Sequence, residues 1–222
     1  MKVFFFDTET TGLPLNKYPP NSEMQPHITQ LGGILEINGV EVVRLDALIK
    51  PDNWRIHDCS GTGISKKSTE LTGITIEMCE EHGIPIEDAM EIFMTCVENA
   101  DIYCCHNTHF DRKIIGFEFA RMYPDVAPRH ALLDRPGFCT MRAATPICEI
   151  PKKNAKTAFK WPTLSEAMKF FFDEELENAH SAIVDITATR RIFHEIMRRG
   201  GFAERIIDLS EKGRLDRNYG VV

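Results

Sequence analysis

Residues 4–12 read FFFDTETTG, in which three phenylalanines run directly into two acidic side chains, Asp7 and Glu9. Side chains alternate between the two faces of a strand, so positions two apart share one face. Two carboxylates on one face repel each other, and burial of either is unfavourable unless a positive charge lies between them. The stretch therefore predicts either a solvated strand end or the first part of a divalent-cation site.

The overall composition is that of a globular protein, with 222 residues, 43% of them hydrophobic and 27% charged. The formal net charge of −7 argues mildly against a polyanionic substrate unless metal ions and a local basic rim supply positive charge. No apolar run approaches the roughly 20 residues of a membrane span, and MKVFFF is too short for a signal peptide, so we expect no membrane association. The 7 cysteines are odd in number and contain no C-x-x-C pair, which indicates reduced thiols and a cytoplasmic location.

The first fifty residues predict three antiparallel strands. A strand over 2–7 is followed by ITQLGGILEI and EVVRLDALIK, which the turn sequence Asn38-Gly39 joins as a hairpin. Residues 51–83 contain four glycines and short polar pieces, and we expect them to be irregular.

Helical periodicity dominates the second half of the chain. A short apolar strand, DIYCCHN, lies between the first two helices, and a weaker strand is expected within residues 130–141. Helices are predicted over 87–100, 110–119, from the capping box at 163–166, and over 182–198. The order of elements predicts one α/β domain with a mixed sheet over residues 1–200, followed by a polar tail over 201–222.

Two later segments place acidic residues beside apolar ones. HNTHFD contains Asp111 at a strand-to-helix crossing, where α/β sheets usually carry their sites. ENAHSAIVD contains His180 and Asp185, which would lie roughly 140° apart on one continuous helix. If the helix begins after His180, however, this residue stays on the preceding loop while Asp185 projects from the first turn.

Together, four acidic residues on three elements point to metal-assisted chemistry. All-oxygen ligation is what Mg²⁺ or Mn²⁺ prefers, and two such ions can hold both the attacking and the leaving oxygen of a phosphodiester. A histidine with a pKa near 6.5 is suited to accept a proton from attacking water.

The segments FFFDTETTG, HNTHFD and HSAIVD, in this order, resemble the three motifs of the DEDDh 3′-to-5′ exonuclease family. This family includes bacterial polymerase proofreading subunits, ribonuclease T and oligoribonuclease. The resemblance extends from Val3 to about Met197. It implies a ribonuclease-H-like fold, in which helices flank a five-stranded mixed sheet.

The resemblance also implies a role for individual residues. Asp7, Glu9 and Asp185 would hold the first of two Mg²⁺ or Mn²⁺ ions. Asp7 would bridge to the second ion, on which Asp111 would act, and His180 would be the general base. The residues implied to bind the terminal nucleotide and the scissile end are Thr8, Thr10, Leu13, Leu71 and Asn107. Thr72 and Phe110 are further candidates for contact with the substrate.

Two of these positions carry an alternative. Thr72 stands where many family members have a histidine before Gly-Ile-Thr. Phe110 falls on the apolar stripe of its helix, so a place in the core competes with stacking on a base.

Basic side chains that could attract phosphates are found in KKNAKTAFK at 152–160 and at Arg190, Arg191, Arg198 and Arg199. Solvated helix faces are the competing interpretation for the arginines. For the lysines, the neighbouring aromatic residues Phe159 and Trp161 favour a track for a single strand.

The leading hypothesis is an exonuclease that releases nucleoside 5′-monophosphates from the 3′ ends of single-stranded nucleic acid, with DNA favoured over RNA. The alternatives are an exoribonuclease of the ribonuclease T or oligoribonuclease type and a non-catalytic nucleic-acid-binding module. For the tail, an arm for a partner such as a polymerase competes with a poorly ordered end.

Overall fold

A computed structural model describes residues 1–52, 54, 63–125, 135–153, 158–177 and 179–200. Its five strands form one mixed sheet in the order β3-β2-β1-β4-β5. The pairs β1–β2 and β2–β3 are antiparallel, and the pairs β1–β4 and β4–β5 are parallel. The strands are β1 (Lys2–Thr10), β2 (Ile28–Ile37), β3 (Val40–Leu48), β4 (Ile102–Cys105) and β5 (Gly137–Cys139). The five-stranded mixed sheet predicted from the sequence is confirmed.

Seven helices of the described residues surround this sheet. They are α1 (Lys66–Thr72), α2 (Ile76–His82), α3 (Ile86–Asn99), α4 (Thr108–Met122), α5 (Thr140–Cys148), α6 (Leu164–Phe172) and α7 (Ala182–Arg198). The capping box predicted at the start of α6 is present, because Thr163 Oγ1 accepts from Glu166 N and the Glu166 carboxylate accepts from Thr163 N. None of the described helices combines the length and apolarity that crossing a membrane requires.

The run of phenylalanines forms the centre of β1, the middle strand of the sheet. Phe4 and Phe6 pack on one face against Phe93 of α3, at ring distances of 5.2 and 4.9 Å. Phe5 packs on the opposite face against Phe193 of α7, 5.3 Å away. A strand that is covered on both faces needs an uninterrupted apolar run, and this explains why the three phenylalanines are adjacent.

The predicted hairpin between β2 and β3 is confirmed at its turn. Asn38 and Gly39 both have positive φ values, 51° and 86°. A two-residue hairpin turn of type I′ requires this geometry, which Asn and Gly adopt most readily.

One expectation about local structure was wrong. Residues 51–83 are not wholly irregular, because α1 and α2 lie within them, and the hydroxyls of Ser65 and Thr75 cap their first turns. Each helix has only 7 residues, too few for a clear apolar period. The weaker strand expected within residues 130–141 is present as the three residues of β5, and α5 follows at once from Thr140. Residues 126–134 lie outside the described residues.

Candidate active site

Asp7 and Glu9 lie at the end of β1, on the face that α7 covers. The close approach of α7 depends on Gly32, which pairs with Asp7 across the β1–β2 ladder. A Cβ atom at Gly32 would come within 2.6 Å of the Ile186 side chain and 2.9 Å of the Ala182 side chain. The absence of a side chain at this position therefore lets the first turn of α7 lie beside Asp7.

Asp111 reaches the same region from the first turn of α4, where it is buried at 2% exposure. Its Oδ1 atom accepts hydrogen bonds from the backbone N–H of Thr8, at 3.1 Å, and from the Thr8 hydroxyl, at 2.9 Å. Side chains alternate along β1, so Thr8 points to the opposite face from Asp7 and Glu9. One short segment of β1 therefore carries two acidic residues and also binds a third, Asp111. The motif had predicted contact of Thr8 with the terminal nucleotide, not this link to Asp111.

His180 and Asp185 have the arrangement expected if the helix begins between them. α7 begins at Ala182, and Asp185 lies in its first turn. His180 has a φ of 70°, and its backbone N–H donates to the Asp185 carboxylate at 3.3 Å. Ligand atoms of Glu9, His180 and Asp185 all lie within 4.8 Å of one another. The three predicted motifs thus converge at the end of β1.

The clustering of carboxylates raises their pKa values. Burial, together with the charges of Asp111, Glu9 and Asp185, raises the pKa of Asp7 well above its ordinary value. Burial and then the charge of Asp185 raise the pKa of Glu9 to about 8. Burial raises the pKa of Asp111 to about 7, although the hydrogen bonds from Thr8 oppose this rise. The chain therefore holds these acids in a place where full ionisation is unfavourable without added positive charge.

The donor set fits a hard divalent cation. The four carboxylates supply only oxygen ligands, as Mg²⁺ and Mn²⁺ prefer. Across the part of the chain that the structure describes, no lysine or arginine forms an ion pair with Asp7, Glu9, Asp111 or Asp185. Within the described residues, no lysine or arginine supplies the positive charge that would relieve their repulsion.

Two exposed leucines flank the acidic cluster along the chain. Leu13 follows β1 and is 64% exposed, and Leu71 on α1 is 50% exposed. The backbone N–H of Ser65 donates to the Thr11 carbonyl at 3.0 Å, and this bond fastens the start of α1 to the segment after β1. The structure thus joins the two segments that carry the predicted base-contacting leucines.

The other predicted substrate residues differ in their surroundings. The Thr10 hydroxyl donates to the Gly12 carbonyl at 2.7 Å, and the Thr72 hydroxyl donates to the Ser68 carbonyl at 3.0 Å. Asn107 precedes α4 in a left-handed conformation, with a φ of 78° and no capping bond from its side chain. Phe110 is half-buried and packs against the core that contains Phe4. Its position favours the structural interpretation over base stacking.

The four arginines considered as phosphate contacts are paired with glutamates. Arg191 binds Glu174, and Arg198 and Arg199 both bind Glu195. Arg190 binds the buried Glu36 and also contacts Glu41. These pairs support the interpretation of the arginines as parts of the helix surface. The middle of the lysine segment, residues 154–157, lies outside the described residues.

Comparison with known proteins identifies relatives of this chain in sequence and in fold. DNA polymerase III PolC-type from Thermotoga petrophila is 33% identical over 127 residues, a match that covers 54% of this chain and 8% of that protein. E. coli Exonuclease I in complex with a dT13 oligonucleotide has a similar fold, with a TM-score of 0.63 and 17% identity over 96% of this chain and 42% of that one. Exonuclease X in complex with 5′ overhanging duplex DNA gives a TM-score of 0.53 and 20% identity, covering 94% of this chain and 99% of that one.

The chain spans less than a tenth of the length of the PolC-type relative and under half of Exonuclease I. The fold expected from the motifs, a ribonuclease-H-like sheet flanked by helices, is confirmed by these structural neighbours. The RNase T family model, described as Exonuclease, matches residues 4–193. This match spans all three acidic motifs, and the chain belongs to that exonuclease family.

Proposed function

We propose that this chain is a divalent-metal-dependent exonuclease that removes nucleoside 5′-monophosphates from the 3′ ends of single-stranded DNA. The observation that carries the proposal is the convergence of Asp7, Glu9, Asp111 and Asp185 without a lysine or arginine partner among the described residues. Membership of the exonuclease family supports the reaction class. The DNA-containing structures of Exonuclease I and Exonuclease X support DNA as the substrate class.

In this proposal the carboxylates bind two Mg²⁺ or Mn²⁺ ions. Asp7, Glu9 and Asp185 would hold one ion, and Asp111 would help to hold the other. Such ions neutralise the phosphate and stabilise the charge that develops on the attacking and leaving oxygens. Thr8 keeps the Asp111 carboxylate in place through its two hydrogen bonds, which fixes the ligand before any ion arrives.

His180 is proposed as the general base. Its side chain is exposed at the edge of the carboxylate cluster, and its ring lies near Glu9 and Asp185. The bond from its own backbone N–H to Asp185 fixes the position of the residue without using the ring. The imidazole thus remains available to take a proton from water that attacks the scissile phosphate.

The exposed leucines are proposed to receive the last base of the strand. Leu13 and Leu71 present apolar surface on two segments that the Ser65–Thr11 hydrogen bond joins. Contact with the flat faces of a base would bury this surface, and it would be insensitive to base identity. Thr10 and Asn107 are proposed to contact the sugar and the scissile end, and Thr72 and Phe110 to support the pocket from behind.

The proposal is tested with end-labelled DNA and RNA oligonucleotides of the same sequence, with Mg²⁺ or Mn²⁺ and with EDTA. We expect stepwise shortening from the 3′ end, faster on DNA and abolished by EDTA. Faster cleavage of RNA would identify the chain as an exoribonuclease instead. Hydrolysis in EDTA, or release of internal fragments from a circular single strand, would contradict the proposal.

A replication partner is proposed for the same enzyme. The PolC-type relative, a DNA polymerase of which this chain matches a small part, supports that setting. The segment to which we assign the contact, residues 201–222, lies outside the described residues. Removal of this segment should abolish co-migration with a polymerase subunit in gel filtration and leave hydrolysis of free oligonucleotides unchanged. Loss of hydrolysis would place the segment in the exonuclease domain instead.

A further inference from the structure

Trp161 is a large aromatic side chain that the proposed chemistry does not use. It is 60% exposed, whereas the other tryptophan, Trp54, is only 3% exposed. Phe159, two residues earlier, is 42% exposed, and the guanidinium of Arg142 lies 6.0 Å from the centre of the Trp161 ring. Exposure of so much aromatic surface is costly, so its position relative to the active site is informative.

The backbone around Trp161 is held on both sides. The N–H of Lys160 donates to the Ile150 carbonyl at 2.9 Å, and Phe159 pairs with Pro151 in a short antiparallel bridge. On the other side, Thr163 begins the capping box of α6. The backbone that carries Trp161 is therefore held in place before any ligand binds, which lowers the entropy lost on binding.

His106 connects this segment to the active site. Its Nε2 atom lies 3.1 Å from the Pro162 carbonyl, and its Nδ1 atom lies 2.9 Å from the Thr140 hydroxyl. A carbonyl can only accept, so Nε2 carries a proton, and Nδ1 pairs with a hydroxyl that also lies 3.3 Å from the Cys105 carbonyl. Burial lowers the pKa of His106 to about 4, which keeps the ring neutral near pH 7.

His106 also lies next to proposed active-site residues in the chain. It immediately precedes Asn107, and the α4 helix that follows carries Asp111 in its first turn. The same strand-to-helix turn therefore anchors both a proposed metal ligand and the segment that displays Trp161. Lys152 and Lys153, exposed on the strand of the bridge opposite Phe159, add positive charge on the approach to this surface.

We propose that Trp161 is a stacking platform for bases of single-stranded DNA upstream of the scissile phosphate, with Arg142 beneath the ring and the lysines beside the backbone. The inference rests on the proposed exonuclease function and extends it from the terminal nucleotide to the strand that follows. Aromatic side chains beside basic ones are the usual means of holding single strands without sequence preference. An exposed aromatic ring that is fixed to the active-site turn is suited to keep the strand in register between successive cleavages.

The test compares Trp161→Ala with Trp161→Phe on three substrates. The first is a short oligothymidylate, and the second has abasic sites at every position except the 3′ terminus. The third is the 4-nitrophenyl ester of thymidine 5′-monophosphate, which occupies only the terminal pocket. Phe170→Ala, which removes another exposed aromatic side chain from α6, is the matched control.

We expect Trp161→Ala to raise KM for the oligothymidylate about 5- to 100-fold with little change in kcat, because one stacking contact is lost. The abasic substrate and the ester should be hydrolysed as by the wild type, and Trp161→Phe and Phe170→Ala should retain most of the affinity. An unchanged KM for the oligothymidylate would overturn the proposal. An equal rise in KM on the abasic substrate would also overturn it, because the ring would then not contact bases.

Fluorescence in EDTA separates failure of this proposal from failure of the exonuclease assignment. Stacking of a base on Trp161 should quench tryptophan emission in the wild type as oligothymidylate is added, and Trp161→Phe should lose this response. Quenching without hydrolysis of any substrate would retain the platform and reject the exonuclease. Hydrolysis without quenching would retain the exonuclease and reject the platform, leaving a protein partner as the occupant of this surface. Quenching by oligouridylate alone would replace DNA with RNA.

Discussion

Buried carboxylates lie at two places along α7, a single glutamate at one and the acidic cluster at the other. The two places differ in their source of positive charge. Glu36 on β2 is 2% exposed, but it contacts Arg190 and lies 2.9 Å from His194 Nε2. Burial alone would raise the pKa of Glu36, and the hydrogen bonds from His194 and Arg190 outweigh it and hold the pKa below its ordinary value. At the start of the same helix, Asp185 lies with Asp7 and Glu9, whose pKa values are raised.

The difference separates a structural acid from the proposed metal ligands. Glu36 is neutralised by residues of its own chain, so its ion pair needs nothing from solution. The acids at the end of β1 have no lysine or arginine partner within the described ranges, and a bound external cation would relieve their repulsion. A protein gains no stability from this arrangement, which supports the proposed binding role.

Substitution of Asp7 should have the largest effect. Asp7→Asn removes the proposed bridging ligand and should lower kcat/KM on the order of 10³-fold or more, because metal-assisted stabilisation is worth several kcal/mol. The same substitution should raise the Tm of the metal-free protein, since one repelling charge is gone. Asp88→Asn on the exposed side of α3 is the control and should change neither quantity. Near wild-type hydrolysis by Asp7→Asn would refute the assignment.

Substitution of His180 should lower kcat without removing the cation site. His180→Ala should reduce kcat about 10²- to 10⁴-fold, the usual contribution of a general base. Mn²⁺ affinity, measured by calorimetry, should stay close to that of the wild type. A loss of Mn²⁺ binding together with activity would instead make His180 a ligand.

Substitution of Arg190 should affect stability and not activity. Arg190→Met leaves Glu36 buried with one partner fewer, and we expect a loss of about 3 kcal/mol in the free energy of unfolding. Arg44→Met breaks an exposed pair with Glu41 and should cost at most about 1 kcal/mol. Urea unfolding measures both. A loss in Arg190→Met no larger than in Arg44→Met would mean that Glu36 does not depend on its pair.

The contributions of Glu36 and of the acids at the end of β1 to stability should depend on pH with opposite signs. We expect this effect to be smaller than those of the three substitutions. Raised pKa values, about 8 for Glu9 and about 7 for Asp111, mean that the folded state binds protons more tightly than the unfolded chain. Their contribution to stability is therefore present at pH 4 and is lost as the pH rises to about 8. Glu36 has a lowered pKa, so its contribution to stability is lost as the pH falls below the ordinary pKa of a glutamate side chain.

Thermal unfolding in EDTA and in Mg²⁺ separates these contributions. In EDTA the Tm should fall between pH 5 and pH 8, and Mg²⁺ should abolish the fall because the ionised carboxylates then have a partner. Asp7→Asn should also reduce the fall in EDTA. A Tm that rises with pH in EDTA over this interval would contradict the raised pKa values.

The sequence predicted the elements that depend on local pattern. FFFDTETTG indicated both a buried strand and paired carboxylates on one face, and Asn38-Gly39 indicated the hairpin. The start of α7 between His180 and Asp185 was foreseen as the condition under which both could serve one site. These features depend on residues that are near one another in sequence, where the periodicity of strands and helices is strong evidence.

Features that depend on the approach of distant elements were not predicted. The hydrogen bonds from Thr8 to Asp111 join residues 103 positions apart, and nothing in either motif indicates them. Gly32 could have been noticed as a glycine inside a strand, which often marks a close approach, but not its contact with α7. The bond from His106 to Pro162 depends likewise on where the segment before α6 lies relative to the end of β4.

The central claim, that the acids at the end of β1 bind divalent cations, is tested most directly by counting bound Mn²⁺. Electron paramagnetic resonance of free Mn²⁺, titrated with the protein and thymidine 5′-monophosphate at pH 8, measures this number. We predict two saturable sites in the wild type, fewer in Asp7→Asn, and no change in the Arg190→Met control. Equal Mn²⁺ binding by the wild type and Asp7→Asn, or no saturable binding, would contradict the account.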